Sequence, residues 1–309
     1  MKIILTSFLF ILFSINLNAS EPYKTICHND LDRKYLIECP KQLKADSLYP
    51  VIFAFHGGGG NAIQLKNFWK LHRLATAQQF IVVYPEAADG FWRIDPVNNK
   101  MNDAGFIRAL GDSLARCFPV DLNHLYATGV SNGGMFCFRL ALADSDLLKG
   151  IAVISANLPT TLARNERLKQ GIPLLIINGT DDPVMPYEGG PIRVNLFPKL
   201  NKLLHRTPKS RGIVLSVDET IRWWLTGWHI ELAKDSVELT DKDPDDGCTV
   251  MRRTWNHSDG KTCLSQYQIN GGGHSIPSGR QTLSERIIGN TCRDFDERTV
   301  ILDFFKQFQ

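Results

Sequence analysis

Three polar side chains stand where chemistry can be done: Ser131, Asp182 and His274. Ser131 is the centre of Gly129-Val-Ser131-Asn-Gly133, set between an apolar run that ends at Val130 and the helical pattern Met135-Phe-Cys-Phe-Arg-Leu-Ala-Leu-Ala143. A serine on such a tight strand-to-helix turn is held in strained backbone, with its hydroxyl pushed out above the sheet edge. Gly129 and Gly133 lack a Cβ, so strand and helix can pass close to the turn. The N–H of Asn132 points out of the helix N-terminus, where partial positive charge gathers. One short segment thus offers a nucleophile and one donor for a developing oxyanion.

Two further stretches complete the set. Gly179-Thr-Asp181-Asp182-Pro183 follows the apolar run Ile172-Pro-Leu-Leu-Ile-Ile-Asn178, and one of its two acids could orient a histidine while the other serves the turn. His274 follows Gly271-Gly-Gly273, which frees the loop to swing an imidazole over the end of a strand. In the order serine, acid, histidine the roles are nucleophile, orienting carboxylate and general base, the equipment for acyl transfer. A second oxyanion donor is expected at Gly58, in His56-Gly-Gly58-Gly-Gly60-Asn61. No Lys-Ser or Lys-Thr pair follows these glycines, which argues against a phosphate-binding loop.

The elements that must position these groups are legible as runs. Tyr49–Phe55, Phe80–Tyr84, Leu125–Val130, Gly150–Ser155 and Ile172–Asn178 are almost wholly apolar, the signature of strands buried on both faces. Amphipathic stretches alternate with them: Leu65–Gln79, Ala104–Phe118 with Asp103 as N-cap, and Val217–Trp228. Such alternation implies a largely parallel sheet with helices on both faces. Asn29-Asp30 predicts a hairpin turn before a strand at Tyr35–Pro40, Thr249–Trp255 and Leu264–Ile269 predict a second strand pair, and Glu297–Phe308 predicts a closing helix. The loop Glu86–Asn102 lies beyond a strand's carboxyl end, where such sheets bind ligands. Its Trp92 either walls a pocket or pins the loop to the core; Met135 and Tyr187 are the other candidate pocket residues. The basic stretch Pro191–Arg211 reads as a solvated surface loop in preference to a flap over the site, with a short helix at Lys199–His205.

Bulk properties set the compartment and the class. The chain has 309 residues, 43% hydrophobic and 22% charged, with a net charge of +3, a balance that argues neither for nucleic acid nor for a membrane surface. Met1-Lys2, the apolar run Ile3–Phe13 and Ala19 before a polar stretch predict a secretory signal over 1–19, followed by one domain over 20–309. The expected localisation is extracellular or periplasmic, with no membrane association after cleavage. The seven cysteines suit an exported chain, and Cys27 with Cys39 and Cys248 with Cys263 are the expected pairs. None forms a C-x-x-C pair and no Cys/His cluster has zinc spacing, so no metal is expected.

Taken together, the motifs resemble those of the polyhydroxybutyrate depolymerase/feruloyl esterase group of secreted α/β-hydrolases. The resemblance rests on Phe55–Asn61, Asp103–Leu110, Tyr126–Met135, Gly179–Pro183 with Pro186-Tyr187, Leu215–Thr220 and Gly271–His274. It implies an α/β-hydrolase fold and carboxylic ester hydrolysis without cofactor, and it places the acid on Asp182. Two departures bear on the substrate: depolymerases of this kind often carry Cys where this chain has Gly58, and relatives often read His-Thr-Trp-Pro where it has His274-Ser-Ile-Pro277. Polyester oligomers and the feruloyl or acetyl esters of plant polysaccharides are both open as substrates. A serine peptidase and a non-catalytic binding protein on the same scaffold are the competing classes.

Overall fold

Strand β3 (Tyr49–Phe55) shows how the sequence divides the core. Val51, Phe53 and Phe55 enter one buried cluster, Ile52 and Ala54 the other, as the period of two requires. Both faces of this strand are covered, which is why it reads as an unbroken apolar run. β6 (Gly150–Ile154) and β7 (Leu174–Gly179) split in the same way, with Ile151, Val153, Leu174 and Ile176 on one side and Ala152, Ile154, Leu175 and Ile177 on the other.

The computed structural model describes residues 23–44, 46–95, 101–193, 210–228, 233–279 and 284–309. The predicted signal segment, Lys199–His205 and parts of the loops Glu86–Asn102 and Pro191–Arg211 lie outside them. The remaining strands are β1 (Lys24–His28), β2 (Leu31–Glu38), β4 (Ile81–Pro85), β5 (Val120–Val130), β8 (Gly190–Arg193), β9 (Ser210–Val214), β10 (Ala233–Glu238), β11 (Thr249–Asn256) and β12 (Thr262–Asn270). A ten-stranded sheet runs β1-β2-β4-β3-β5-β6-β7-β12-β11-β10, and β8 pairs with β9 apart from it. From β4 to β12 every neighbouring pair is parallel, while β1, β2, β10 and β11 extend the two edges antiparallel. This is the α/β-hydrolase architecture expected from the motifs.

Several local expectations hold and others change. The β1–β2 hairpin turns on Asn29 and Asp30, both at positive φ (51° and 57°), as a two-residue primed turn requires. Strand β10 was not foreseen: Ala-Lys-Asp-Ser-Val-Glu has no apolar run, because an edge strand needs none. The helix expected to be capped by Asp103 is capped by Asn102, whose side chain accepts from the Gly105 N–H. Asp103 is buried instead against Arg33.

Neither expected cysteine pair is compatible with the strand register. Cys27 lies opposite Asp32, far along β2 from Cys39. Cys248 precedes Thr249, which faces Asn270, whereas Cys263 lies at the other end of the same hairpin, beside Thr262 opposite Asn256. Cys248 instead lies beside Cys292, and both are buried, their thiols donating to the Asp246 carbonyl and to Asp294 Oδ2.

Helices cover the two faces: α1 (Ala62–Trp69), α2 (Leu71–Ala77), α3 (Asp103–Cys117), α4 (Asn132–Ala143), α5 (Thr160–Asn165), α6 (Val217–Leu225), α7 (Glu285–Ile288) and α8 (Glu297–Lys306). At the start of α8, Glu297 is 2% exposed and accepts a hydrogen bond from the Trp69 indole at 2.9 Å, while its second carboxyl oxygen has no partner. Burial pushes this carboxyl up to about 8, and the neighbouring Asp296 adds to the shift. The folded value lies above the unfolded one, so the stability held by the neutral acid is fully present below about pH 4.5 and is lost as pH rises through about 8. Glu297→Gln keeps the acceptor for Trp69 and removes the titration. The variant is expected to gain about 1–3 kcal/mol on wild type between about pH 5 and about pH 9 in urea unfolding.

Candidate active site

The backbone at Ser131 is strained: φ is 55° and ψ −118°, outside the left-handed well that a non-glycine residue can occupy at modest cost. Its N–H donates to the Ile154 carbonyl and its own carbonyl accepts from the Met135 N–H, each at 2.9 Å. The turn therefore bridges β6 and the first turn of α4. Close packing makes this conformation the one that fits. A Cβ on Gly133 would lie 2.3 Å from the Phe55 carbonyl oxygen, and one on Gly129 would lie 2.5 Å from the carbonyl carbon of Gly133. Strand β5, helix α4 and the end of β3 meet at backbone distance, and Ser131 is what projects from the junction.

Asp182 and His274 come together beside it. Asp182 Oδ1 accepts from the N–H groups of Val184 and Met185 at 2.8 and 2.7 Å, and Oδ2 meets His274 Nδ1 at 2.7 Å. Asp181 instead accepts from the Thr180 hydroxyl in the turn. With Nδ1–H donated to Asp182, the lone pair of His274 falls on Nε2. The histidine loop is tied down by β-bridge contacts: Gly273 N–H to the Asn290 carbonyl, His274 N–H to the Ile288 carbonyl. A Cβ on Gly273 would lie 2.0 Å from that Ile288 oxygen, so this glycine is there for close passage as well as for the swing of the loop. Ser131 and His274 line the same two cavities, although no hydrogen bond joins hydroxyl to imidazole here. Such contacts commonly close only around a substrate.

The glycine loop after β3 is held by His56. Its Nδ1 bonds the Gly57 carbonyl and its Nε2 accepts from the Ala87 N–H, an arrangement that uses the neutral ring. Burial lowers its pKa in the same sense. The N–H groups of Gly58 and Asn132, the two expected oxyanion donors, engage no hydrogen-bond acceptor among the described residues. The Asn132 side chain is occupied: it accepts from the Trp92 N–H and donates to the Trp92 carbonyl.

Trp92 pins the loop to the core, and it also lines the wider trough beside the site. It is 2% exposed, stacks on Phe136 with centroids 4.8 Å apart, and donates its indole N–H to the His56 carbonyl. The adjacent Phe91 is the side chain that faces the site. A cavity of about 210 Å³ is lined by Gly58, Ser131, His274, Phe91, Met135 and Ile192, among others. It continues into a wider trough of about 750 Å³ past Arg93, Met101, Thr161 and Ile213. A third cavity, of about 250 Å³, shares Gly58, Ser131, His274 and Ile288 with the first and extends to Gly60, Leu65, Phe68 and Ile276. Ser131 thus borders two spaces. Met135 is where the sequence predicts it. Tyr187 is not: its hydroxyl bonds Gln268 and Gln266 in a separate recess, away from the cavities that hold Ser131. Phe91, Ile192 and Arg211 are not singled out by the sequence; Ile192 and Arg211 belong to the stretch for which a flap over the site is the second reading, and nothing in a lone aromatic or in a basic loop says which way a side chain will face.

No family model matches the chain. In sequence it is 27% identical over 260 residues to a protein of Nocardia uniformis subsp. tsuyamanensis named as an esterase, NocK; the match spans 82% of this chain and 73% of that protein. It is 27% identical over 170 residues to feruloyl esterase C of Emericella nidulans, across 53% of this chain and 60% of that enzyme. A bifunctional acetylxylan esterase/xylanase of Neocallimastix patriciarum is 25% identical over 154 residues, 49% of this chain and 22% of that protein. The fold matches that of an acetyl xylan esterase from Aspergillus awamori, with a TM-score of 0.57 at 12% identity, over 93% of this chain and all of the other. The expected kinship with feruloyl esterase-like carboxylic ester hydrolases is borne out.

The loop that carries Phe91 and Trp92 hangs on one buried ion pair. Asp103 Oδ1 binds Arg33 at 2.7 Å and its Oδ2 accepts from the Arg93 N–H at 2.9 Å, while the Arg33 guanidinium lies 4.0 Å over the Phe106 ring. Removing one partner strands the other charge in the core. Asp103→Ala is expected to cost about 3–5 kcal/mol in urea unfolding, well above the loss of an exposed pair such as that of Lys306 with Asp303.

Proposed function

We propose that this chain is an exported serine esterase that works through Ser131, His274 and Asp182. The observation that carries the reading is the Asp182–His274 contact with Nε2 left free, at the rim of two cavities that Ser131 also lines. In the reaction Ser131 Oγ attacks the acyl carbon while His274 Nε2 takes its proton. Asp182 holds the ring in the working tautomer and stabilises the imidazolium. The tetrahedral oxyanion faces the N–H groups of Gly58 and Asn132, donors already fixed in place and needing no reorganisation. Collapse expels the alcohol, which leaves with the proton of His274. Water, deprotonated by the same nitrogen, then releases the acid from the acyl-enzyme.

The substrate class we favour is esters of plant polysaccharides, of the feruloyl or acetyl type. The sequence relatives include enzymes named for those activities, and the cavity beside Ser131 has the largely apolar wall an aryl or short alkyl acyl group needs. Soluble hydroxybutyrate oligomers are the second reading, favoured by the motifs shared with depolymerases. A panel of methyl ferulate, acetylated xylan and hydroxybutyrate oligomers separates the two. On the preferred ester, Ser131→Ala is expected to abolish turnover and Asp182→Asn to lower kcat by about 10³–10⁴. An alanine variant as fast as wild type would sink the proposed nucleophile.

Export also bears on the cysteines. In an oxidising compartment the neighbouring thiols of Cys248 and Cys292 are the pair we expect to be bridged. Peptide mapping of chain purified without reductant should recover the two in one cross-linked fragment. Recovery of both as free alkylated thiols would count against the bridge.

A further inference from the structure

Among the described residues, Arg211 is the one permanently charged side chain that lines either cavity shared by Ser131 and His274, and it lines the one that holds Phe91. The other walls there are glycine, Phe91, Met135, Val184, Ile192, Ile287, Ile288 and the Asn132 side of the elbow. A cation in such a place is either neutralised by the protein or available to a ligand. Elsewhere Arg33, Arg93, Arg108, Arg139, Arg293 and Arg298 each close on a carboxylate. Among the described residues no acid pairs with Arg211. Asp95 lines the wider trough but not the cavity beside Ser131.

The neighbour that holds the guanidinium is an aromatic and not an acid. Its centre lies 4.7 Å over the Phe91 ring, within cation–π range. The ring offers no hydrogen-bond acceptor oxygen, so the guanidinium N–H groups, a planar fork matched to two carboxylate oxygens, are left for a ligand.

We propose that Arg211 is a subsite for a carboxylate, and that the preferred substrates are esters carrying a free acid group on the part that occupies the Phe91–Ile192 cavity. This rests on the serine esterase reading and narrows it: acid-bearing esters are taken in preference to neutral esters of the same length. Arg211 acts here as a specificity residue, and the reacting atoms are still handled by Ser131 and His274.

The test uses matched pairs, with kcat/KM measured by pH-stat near neutral pH. Monomethyl adipate against methyl hexanoate places the charge on the acyl side. The anion of 3-butyryloxybutyric acid against its primary amide places it on the alcohol side. Wild type is expected to favour the anionic member of one pair by about five- to tenfold at low salt, and the preference should shrink as salt is added. Which pair responds tells which side of the ester lies under Arg211. Arg211→Gln should bring the ratio of anionic to neutral rates down by about that factor, Arg211→Lys should restore part of it, and Arg211→Glu should invert it. Ratios that are the same in wild type, Arg211→Gln and Arg211→Glu for both pairs would overturn the proposal. Binding provides a readout that does not need turnover. In Ser131→Ala, calorimetry with both anionic esters should show at least one of them binding several-fold more tightly than in Ser131→Ala/Arg211→Gln. Equal binding in the two overturns the subsite. If wild type hydrolyses no ester in a Ser131-dependent way, the esterase reading is what fails, and the calorimetric comparison decides Arg211 by itself.

Discussion

The active-site arrangement depends on how closely backbone can approach backbone around Ser131. Where α4 leaves the turn, the space between Gly133 and the Phe55 carbonyl is smaller than any side chain. That contact brings the end of β3, and with it the glycine loop 56–61, against the start of α4. The N–H of Gly58 and the N–H of Asn132 belong to segments more than seventy residues apart in the chain, and this one close packing sets them side by side. Strain at Ser131 is the cost of the geometry. The parallel centre of the sheet, apolar on both faces, is rigid enough to hold it.

The outer parts of the site are fixed by polar groups that have no chemical step to perform. His56 joins the glycine loop to Ala87; Asn132 and Trp92 exchange hydrogen bonds in both directions; Asp103 and Arg33 hold the same loop from below. Each replaces a water-exposed loop contact with a buried, directional one. Together these contacts restrict where the loop bearing Phe91 can lie, although Arg33 Nε itself is buried without a partner among the described residues.

The sequence reveals the centre of this molecule far better than its edges. Buried parallel strands show up as apolar runs, and the positions of Ser131 and His274 are marked by glycines whose spacing has a steric reason. Asp182 over Asp181 could be chosen only through the family resemblance; the structure gives the physical ground, since two N–H donors and the imidazole converge on Asp182 while Asp181 faces the turn. β10 and the partner of Cys248 were not legible. An edge strand needs no apolar pattern, and cysteine pairing is a property of register and of loop paths that a linear chain does not display. The pocket walls failed for a related reason. Tyr187 and Phe91 are both aromatics next to motif residues, and which of them turns toward Ser131 is decided by hydrogen-bond partners brought from β12 and from α4.

Gly58 links this to substrate choice. A Cβ at that position would lie 2.6 Å from the Phe91 ring. A side chain at 58 would therefore require the Phe91 ring to shift from its present place. The ring is also the platform beneath Arg211. Glycine at 58 thus goes with three features together: an N–H without an acceptor among the described residues, an aromatic in the wall of the cavity beside Ser131, and a guanidinium over that ring. Under the proposed mechanism only the first bears on the reaction itself; the ring and the guanidinium bear on which ester fits.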